Sequence, residues 1–306
     1  MIALLDIGGT KIKYGIIDAE TEKYKFLDSL VTRENDTDIK TFNILDRIKI
    51  ILDNMFATND IHGIAISTAG MVDVNTGEII YANENIPNYS GTKLCELLEA
   101  IYNVPVTAEN DVNAALLGEL EFGDYGEVHS MVMLTVGTGI GGALYLNKGI
   151  YHGFNGAAGE VGYSILDNQN IEMTTSTRAL VRNVKQRLPN EQIDGKWIFD
   201  QAINHNNIIC IEEIDRLIHN IMEMVNNIIS LVNPQHVILG GGIMEQSDYL
   251  ASRVEKAFKT INKNALTVKH TRLSFASLGN QAGLLGAYVH FKRQREETLN
   301  ENVTNI

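Results

Sequence analysis

The chain contains few of the residues that build disulfide scaffolds, structural zinc sites and flexible linkers. Its 306 residues include 2 cysteines, 4 prolines and 1 tryptophan. The cysteines, Cys95 and Cys210, lie far apart in sequence, which argues against both a disulfide framework and a Cys-rich zinc site. No Pro- or Ser-rich segment interrupts the chain, so any two domains must be joined by structured elements.

Long apolar runs and an excess of positive charge are also missing. No segment reaches the ~18 consecutive apolar residues of a spanning helix, so no membrane contact is expected. The first residues, "MIALLDIGGT", enter an apparent strand without the basic region and cleavage site of a secretory signal, which indicates a cytoplasmic protein. The formal net charge of -13 argues against a nucleic-acid partner, because it repels the phosphate backbone.

What the chain does contain is an alternation of apolar runs, glycine turns and segments with helical spacing, which predicts an α/β fold. At 306 residues it is long enough for two domains, because single hydrophobic cores rarely grow beyond roughly 250–300 residues. Strands are expected near residues 2–7, 11–18, 61–67, 78–82, 104–107, 130–136, 142–147, 235–240 and 269–276. Helices are expected near residues 38–57, 91–102, 112–121, 174–187, 207–232, 247–262 and 280–296.

One pattern occurs twice, as "LLDIGGTKIKYGII" (4–17) and "MLTVGTGIGGALYL" (133–146). Each copy is an apolar strand, a Gly/Thr turn and a second apolar strand. Glycines in such turns let backbone N–H groups approach a phosphate closely, although a plain tight turn would explain either copy alone. The repetition favours phosphate-binding turns and predicts two similar lobes that face each other.

The second copy also contains a misleading pattern. Gly137, Gly139 and Gly142 satisfy the dinucleotide-binding spacing G-x-G-x-x-G. Such a loop must open a helix, whereas the following "GALYLNKGIYHG" alternates like a strand, so dinucleotide binding is not expected. The P-loop pattern G-x-x-x-x-G-K-[ST] is absent from the sequence.

Polar residues gather where "VPVTAENDVNAALLGEL" (104–120) passes from a predicted strand into a predicted helix. Asn110 or Asp111 can serve as the N-cap of that helix. A cap explains only one polar residue, however, and Glu109 makes a third. Strand ends are where α/β folds place ligands, so Asp111 is a candidate catalytic residue.

Glycines also follow the buried strand predicted within "NPQHVILGGGIME" (233–245). Three in succession, Gly240, Gly241 and Gly242, suit either a tight turn or a close approach of backbone to an adenine or ribose. Small residues recur in "GNQAGLLGAY" (279–288), where their spacing predicts close helix packing rather than ligand binding.

In their order and spacing these motifs resemble the ROK family of sugar kinases and repressors, over about residues 2–290. The resemblance rests on Asp6–Lys11, Asn110–Asp111, "GTGIGGAL", "GAAGEVGY", "LGGGI" and "GNQAGLLGAY". It implies a two-lobed actin-like ATPase fold of the ribonuclease H-like class, with the active site in the inter-lobe cleft. We expect the small lobe at residues 1–116 plus 288–306 and the large lobe at residues 117–287.

The resemblance further implies ATP, Mg2+ and a sugar as ligands, and a homodimer as the assembly. It assigns Asp111 as the general base. Sugar contacts are expected from Asn110, Glu160, Tyr163 and Glu172. ATP or phosphate contacts are expected from Asp6 (near Mg2+), Gly8, Gly9, Thr10, Lys11, Thr138, Gly139, Gly241 and Gly242.

The sequence departs from the family at Tyr163. Most members have a histidine there, followed by a Cys-rich segment, and together these bind a structural zinc. Here "SILDNQNIEMTTSTRAL" (164–180) contains no cysteine, so no structural zinc is expected. The departure resembles the zinc-less β-glucoside kinases, which phosphorylate the 6-hydroxyl of β-glucosides.

Alternatives remain at this stage. Tyr163 can simply pack against its loop, and the substrate can be a free sugar, as for a glucokinase, a fructokinase or an N-acetylmannosamine kinase. A sugar-responsive repressor is disfavoured, because those members carry a helix-turn-helix segment ahead of the first strand and only three residues precede "LLD" here. A catalytically dead sugar sensor is disfavoured because Asp111 and both predicted phosphate turns are retained.

Overall fold

The computed structural model describes residues 1–34, 38–166, 168–188, 192–262 and 267–304. The chain divides into two compact units, called here unit 1 and unit 2. Unit 1 comprises Met1–Tyr125, His152–Ala157 and Asn280–Ile306. Unit 2 comprises Gly126–Tyr151 and Ala158–Gly279.

Strands and helices alternate along the described residues, as expected of an α/β protein. The strands are β1 (Ile2–Ile7), β2 (Lys11–Ile17), β3 (Tyr24–Val31), β4 (Gly63–Thr68), β5 (Met71–Asp73), β6 (Glu78–Tyr81), β7 (Val106–Asn110), β8 (Ser130–Val136), β9 (Ile140–Leu146), β10 (Gly149–Ile150), β11 (Ile165–Leu166), β12 (Gln169–Asn170), β13 (His236–Gly240) and β14 (Arg272–Phe275). The helices are α1 (Ile44–Thr58), α2 (Leu94–Tyr102), α3 (Asp111–Phe122), α4 (Glu172–Thr175), α5 (Thr177–Arg187), α6 (Gly195–Asn204), α7 (Ile208–Val232), α8 (Ser247–Ile261) and α9 (Ala282–Thr304).

Each unit contains a five-stranded sheet, and the two sheets follow the same plan. The strand order is β3-β2-β1-β4-β7 in unit 1 and β10-β9-β8-β13-β14 in unit 2. In both sheets the first three strands are antiparallel and the following pairs are parallel. The internal repeat predicted from the two glycine turns is therefore confirmed, since the turns occupy equivalent β1–β2 and β8–β9 connections.

Apolar side chains from helices and strands form a separate core in each unit. In unit 1 the strands are covered by α1, whose Ile48 and Leu52 are fully buried. In unit 2 the long helix α7 contributes a stripe that includes Ile214, Ile221 and Val225. Burial of these aliphatic residues is the main favourable term that holds each sheet in place.

Helices α3 and α9 pack at very short range because glycines remove the side chains between them. A Cβ on Gly286 would overlap the carbonyl oxygen of Ala114, and a Cβ on Gly118 would meet that of Ala282 at 2.5 Å. The prediction that "GNQAGLLGAY" is a packing motif is confirmed at Gly286. The same helices explain why unit 1 differs from the expected lobes, since the expected breaks at 116/117 and 287/288 fall inside α3 and α9.

Several elements differ from the expected ones for identifiable reasons. Helix α1 begins at Ile44 rather than residue 38, because the Asn43 side chain accepts the Leu45 N–H and caps it. Strand β3 was not predicted, because it is an exposed edge strand that pairs with β2 across a bulge between Tyr14 and Gly15. None of the described helices is long and apolar enough to cross a membrane.

Candidate functional site

The first glycine turn, 8–11, is a closed hairpin turn held from outside. The Gly8 N–H donates to the Lys11 carbonyl oxygen at 3.0 Å. Thr32 supports the turn twice, through Oγ1 to the Gly8 carbonyl oxygen at 2.6 Å and through its N–H to the Thr10 carbonyl oxygen at 2.9 Å. Thr10 and Lys11 are exposed, so the tip of this turn is accessible to a phosphate.

Asp6, beside this turn, has a polar partner on each carboxylate oxygen. Lys13 Nζ lies 3.2 Å from Oδ2, and Ser67 Oγ donates to Oδ1 at 2.8 Å. Helix α9 packs closely against the Asp6–Ser67 pair at Gly283, which has no side chain. A Cβ there would lie 3.1 Å from both Asp6 Oδ1 and Ser67 Oγ. Lys13 was not predicted as a site residue, although its place two residues after Lys11 on the same strand is a usable signal.

The residues around Asp6 suit a cation that arrives with a nucleotide. Carboxylate oxygen is the ligand type that Mg2+ prefers, and Mg2+ is commonly held by one or two carboxylates together with substrate phosphates. Across the described residues no three His, Cys, Asp or Glu side chains are grouped to hold a metal without a substrate. Asp6 would hold Mg2+ in unit 1 together with substrate phosphates and water.

The β7–α3 junction contains the N-cap of helix α3. Asn110 is the N-cap, and its Oδ1 accepts the N–H groups of Val112 at 3.0 Å and Asn113 at 3.2 Å. Its Nδ2 donates to the Gly70 carbonyl oxygen at 2.9 Å, so the amide is fixed at both ends. Asp111 is the first residue of α3 and is half-buried, and its Oδ1 also accepts the Val112 N–H, at 2.9 Å.

Glu109, the residue before this cap, is fully buried and accepts hydrogen bonds from several directions. Its Oε1 accepts the Asn110 N–H at 2.7 Å and Asn113 Nδ2 at 3.1 Å. Its Oε2 lies 2.7 Å from His152 Nε2 and 3.7 Å from His290 Nδ1. Neither histidine was predicted from the sequence, because His152 lies 43 residues away and no motif links it to Glu109.

The charges of this group follow from burial and pairing. Burial alone would raise the pKa of Glu109, but the His152 hydrogen bond and the nearby His290 hold that pKa below its usual value. The hydrogen bond to Glu109 raises the pKa of His152, against the opposing effect of burial. Burial lowers the pKa of His290, so His152 is both the closer and the more readily protonated partner of Glu109.

The second glycine turn, in unit 2, is closed in a comparable way. The Gly137 N–H donates to the Gly139 carbonyl oxygen at 2.9 Å, and the Thr177 N–H donates to the Gly137 carbonyl oxygen at 2.8 Å. The chain continues directly into β9, which confirms that this is no helix-opening dinucleotide loop. Gly142 instead permits close contact between β9 and the backbone of Gly159.

Glu172 lies against this turn. Its Oε2 accepts the Ile140 N–H at 3.2 Å and occupies the space that a Cβ on Gly139 would need. The Glu160 residue is exposed to solvent. Its pKa is nevertheless raised, because the surrounding protein partly desolvates the carboxylate and the negative charge of Glu172 lies nearby. Unit 2 therefore brings the predicted phosphate turn and two predicted sugar ligands into one neighbourhood.

Tyr163 ends the short 3-10 turn Val161–Tyr163 that follows Glu160, and its side chain is 64% exposed. The segment after it forms the small β11–β12 hairpin, and the Ile171 N–H donates to the Ser164 carbonyl oxygen at 2.8 Å. The two cysteines of the chain are buried elsewhere, in α2 and α7. The absence of a structural zinc stays a prediction.

The glycines after β13 have different roles. Gly241 has φ +90 and packs on the end of β8, where a Cβ would lie 2.6 Å from the Val136 N and O atoms. Gly242 has open space where a Cβ would stand, as far as the described residues extend. A tight turn therefore accounts for Gly241, and the predicted adenosine contact is sterically open at Gly242.

Comparison with known proteins gives relatives that match along nearly the whole chain. An uncharacterized protein of Clostridium perfringens is 40% identical over 95% of this chain and 98% of its own length. A β-glucoside kinase of Listeria monocytogenes is 31% identical over 96% of this chain and 98% of its own length.

Solved structures show the same architecture. A ROK family protein of Streptococcus pneumoniae, solved with sucrose, has a TM-score of 0.82 at 30% identity and covers 97% of this chain and 99% of that one. A ROK family glucokinase of Streptomyces griseus, solved with glucose and AMPPNP, has a TM-score of 0.79 at 26% identity and covers 94% of this chain and 97% of that one.

The resemblance inferred from the glycine turns, the Asn110–Asp111 pair and "GAAGEVGY" is thus confirmed for family and fold. Structures of this kind have the two-lobed actin-like ATPase fold. The ROK family model matches residues 2–294. The chain belongs to the ROK family.

Proposed function

We propose that this ATP-dependent carbohydrate kinase transfers the γ-phosphate of ATP to the 6-hydroxyl of a β-glucoside. The substrate class rests on Tyr163, which is 64% exposed and, by the resemblance, takes the place of the zinc-binding histidine of most of the family. The similarity to a β-glucoside kinase along nearly the whole chain supports the same choice. The proposal includes Mg2+ with ATP, a homodimer and a cytoplasmic location.

Asp111 is the proposed general base. A sugar hydroxyl is a poor nucleophile, so a carboxylate that accepts its proton while directing it toward phosphorus assists the transfer. The neighbouring Asn110 amide is fixed by its bonds to the α3 backbone and to Gly70, which suits a group that must orient a hydroxyl without moving.

Glu160 and Glu172 are the proposed ligands of further sugar hydroxyls. Burial and the negative charge of Glu172 disfavour the ionised form of Glu160, and a sugar hydroxyl that donates to Glu160 would offset that cost. Glu172 also accepts the Ile140 N–H, so one of the proposed sugar ligands lies directly against the phosphate turn. This arrangement favours a polyhydroxylated substrate bound next to the transferred phosphate.

The glycine turns supply the proposed phosphate contacts. Backbone N–H groups can stabilise negative charge on phosphate oxygens without any side-chain rearrangement. The roles of Gly8, Gly9, Thr10 and Lys11 in unit 1, and of Thr138 and Gly139 in unit 2, are proposed on that basis. Bound Mg2+ would neutralise phosphate charge, with Asp6 as its protein ligand. Gly241 and Gly242 are the proposed adenosine contacts.

A panel of acceptors tests the substrate class. ATP consumption would be measured with cellobiose, an aryl β-glucoside, glucose, fructose, mannose and N-acetylmannosamine, and product position would be read by NMR. We expect the highest kcat/KM with a β-glucoside and phosphate on its 6-hydroxyl. Activity on free hexoses alone would contradict the glucoside proposal and favour the glucokinase-like alternative suggested by the Streptomyces relative.

Replacement of the proposed base tests the mechanism. Asp111→Ala should lower kcat by roughly 100-fold or more, in the range attributed to general acid–base catalysis. Asp46→Ala is the matched control, because Asp46 is also an acidic residue in the first turn of a unit 1 helix and has the same favourable helix-dipole interaction. Equal kcat in the two variants would remove Asp111 from the proposed mechanism.

A further inference from the structure

The loop 152–157 is the one stretch between residues 126 and 279 that belongs to unit 1. It lies against the β5–β6 hairpin, since a Cβ on Gly156 would be 3.1 Å from the Val72 carbonyl oxygen. At its start, His152 donates to the buried Glu109 at 2.7 Å. The loop and the β7–α3 junction therefore share one ion pair.

Glu109 links that ion pair to the residue proposed as the base. Its Oε1 accepts the N–H of Asn110, and Asn110 caps the helix whose first residue is Asp111. Glu109 belongs to a row across the parallel strands, in register with Ser67 and Asp6. A displacement of Glu109 would thus move the peptide that directs Asp111.

We propose that His152 is a positioning residue for Asp111, and that its imidazolium acts through the Glu109 carboxylate to fix the β7–α3 junction and anchor the 152–157 loop. The inference rests on the proposed function, because it assumes that Asp111 is the base. Nothing in it requires His152 to contact the substrate.

The energetics favour a large effect on geometry when the pair is broken. Removal of one member of a buried ion pair leaves the other charge without compensation, which is costly in a low-dielectric interior. His290 cannot replace His152, because its Nδ1 is 3.7 Å away, its pKa is lowered, and its Nε2 has no hydrogen-bond partner among the described residues. Glu109 would then reorient or take up a proton, and the Asn110 peptide would shift with it.

The pair also defines a pH dependence. The groups that face Glu109 are His152 from the loop, His290 from α9 and the neutral Asn113 from α3. His290 itself also feels Arg293 and Glu297 on its own helix. Because the pKa of His152 is raised above its ordinary 6.5, the charged pair extends to higher pH than a free histidine would allow and is lost as pH rises through that raised value.

Two substitutions of the histidine separate charge from hydrogen bonding. His152→Ala removes both, and we expect a fall in kcat of roughly 10–100-fold with a smaller change in the KM for sugar, because misplacement of a reacting group costs rates of this order. His152→Gln keeps an N–H donor without a charge. It should retain more activity and lack the alkaline limb that we expect in the kcat/KM profile of the wild type.

Chemical rescue provides a readout that a merely structural role would not move. The His152 side chain is 27% exposed, so its removal leaves a gap that solvent can reach. Imidazole added to His152→Ala should restore part of kcat in proportion to its protonated fraction. His62→Ala is the matched control, since His62 also pairs with a carboxylate in unit 1, Asp60 at 3.2 Å, but is 64% exposed.

The outcomes distinguish the possibilities. Wild-type kcat and pH profile in both His152 variants would overturn the inference while leaving the kinase proposal intact. Should His152→Ala fail to fold, NMR titration of His152 in the wild type and in Glu109→Gln decides the pairing, since an unchanged His152 pKa overturns it. A wild type that phosphorylates no acceptor would contradict the proposed function, and the positioning role for Asp111 would fall with it.

Discussion

Glu172 occupies the space that a side chain at position 139 would need, so the second glycine turn depends on one residue from a distant segment. Position 139 therefore needs glycine because a side chain there would clash with the Glu172 carboxylate, and not because its φ is positive. Gly137, two residues earlier in the same turn, is different, because a Cβ there would meet no atom of the described residues within 4 Å. The two glycines look equivalent in the sequence and are not equivalent in the structure.

A pair of substitutions tests this difference. Gly139→Ala should displace the Glu172 carboxylate and break its bond from the Ile140 N–H, because the flexible end of Glu172 yields more easily than backbone. We expect the KM for sugar to rise by roughly 10-fold, the effect of about one lost hydrogen bond to a charged group. Gly137→Ala is the control and should leave that KM within about twofold. Equal KM values would remove Glu172 from the sugar site.

Residue-level features were predictable from the sequence where a motif is local. The Asn110–Asp111 pair and both glycine turns are such cases, because capping and tight turns need only neighbouring residues. The Glu109–His152 pair was not predictable, since it depends on the path of a loop 43 residues away. Lys13 and Thr32, which support Asp6 and the first turn, were missed for the related reason that their partners lie across strands.

At the scale of elements, the α3–α9 contact brings two helix backbones together without side chains between them. The carbonyl oxygen of Ala114 and the backbone of Gly118 face Gly286 where a Cβ would stand. These are main-chain atoms, and a helix backbone cannot yield locally without loss of its hydrogen bonds. The same helix α9 also carries His290 to Glu109 at the end of β7.

Gly286→Ala should therefore destabilise the protein. Overpacking a tight contact costs about 1–3 kcal/mol, and the backbone position of the clash favours the upper end. The free energy of unfolding would be measured by denaturant titration. Gly149→Ala is the control, because no atom of the described residues lies within 4 Å of where its Cβ would stand and its φ is not positive. A stability equal to that of the control would contradict the packing explanation.

Element boundaries were predicted best where the apolar pattern was strong. The strands β1, β8 and β13 match their expected ranges closely, because they are buried on both faces. Strand β3 was missed, since its exposed edge position gives it no regular alternation. Helix α6 (Gly195–Asn204) was missed as well.

At the scale of the whole molecule, predicted ligand contacts are divided between the units. Asp6, the first turn and Asp111 belong to unit 1, whereas the second turn, Glu160 and Glu172 belong to unit 2. The repeated sequence pattern predicted two similar units, because each half of the chain contains its own hairpin turn. The exact division was not predictable, since it depends on where α3 and α9 begin and end.

Ligand binding should stabilise the folded chain if the proposed contacts form. A ligand that binds only the native state at about 100 times its Kd adds about 2.7 kcal/mol to the free energy of unfolding. We expect a nonhydrolysable ATP analogue with Mg2+, and separately cellobiose, each to raise Tm in a thermal-shift measurement. Glu160→Ala should abolish the shift with cellobiose and retain the shift with nucleotide. Loss of both shifts in that variant would indicate a folding defect instead.

The loop that carries His152 has a consequence for how the chain can be divided. The polypeptide passes from one unit to the other at 125/126, 151/152, 157/158 and 279/280. A gene fusion of two complete domains would need only one such passage. No single cut can therefore release either unit whole, and a chain divided at 125/126 would put residues 152–157 and 280–306 of unit 1 on the same fragment as unit 2.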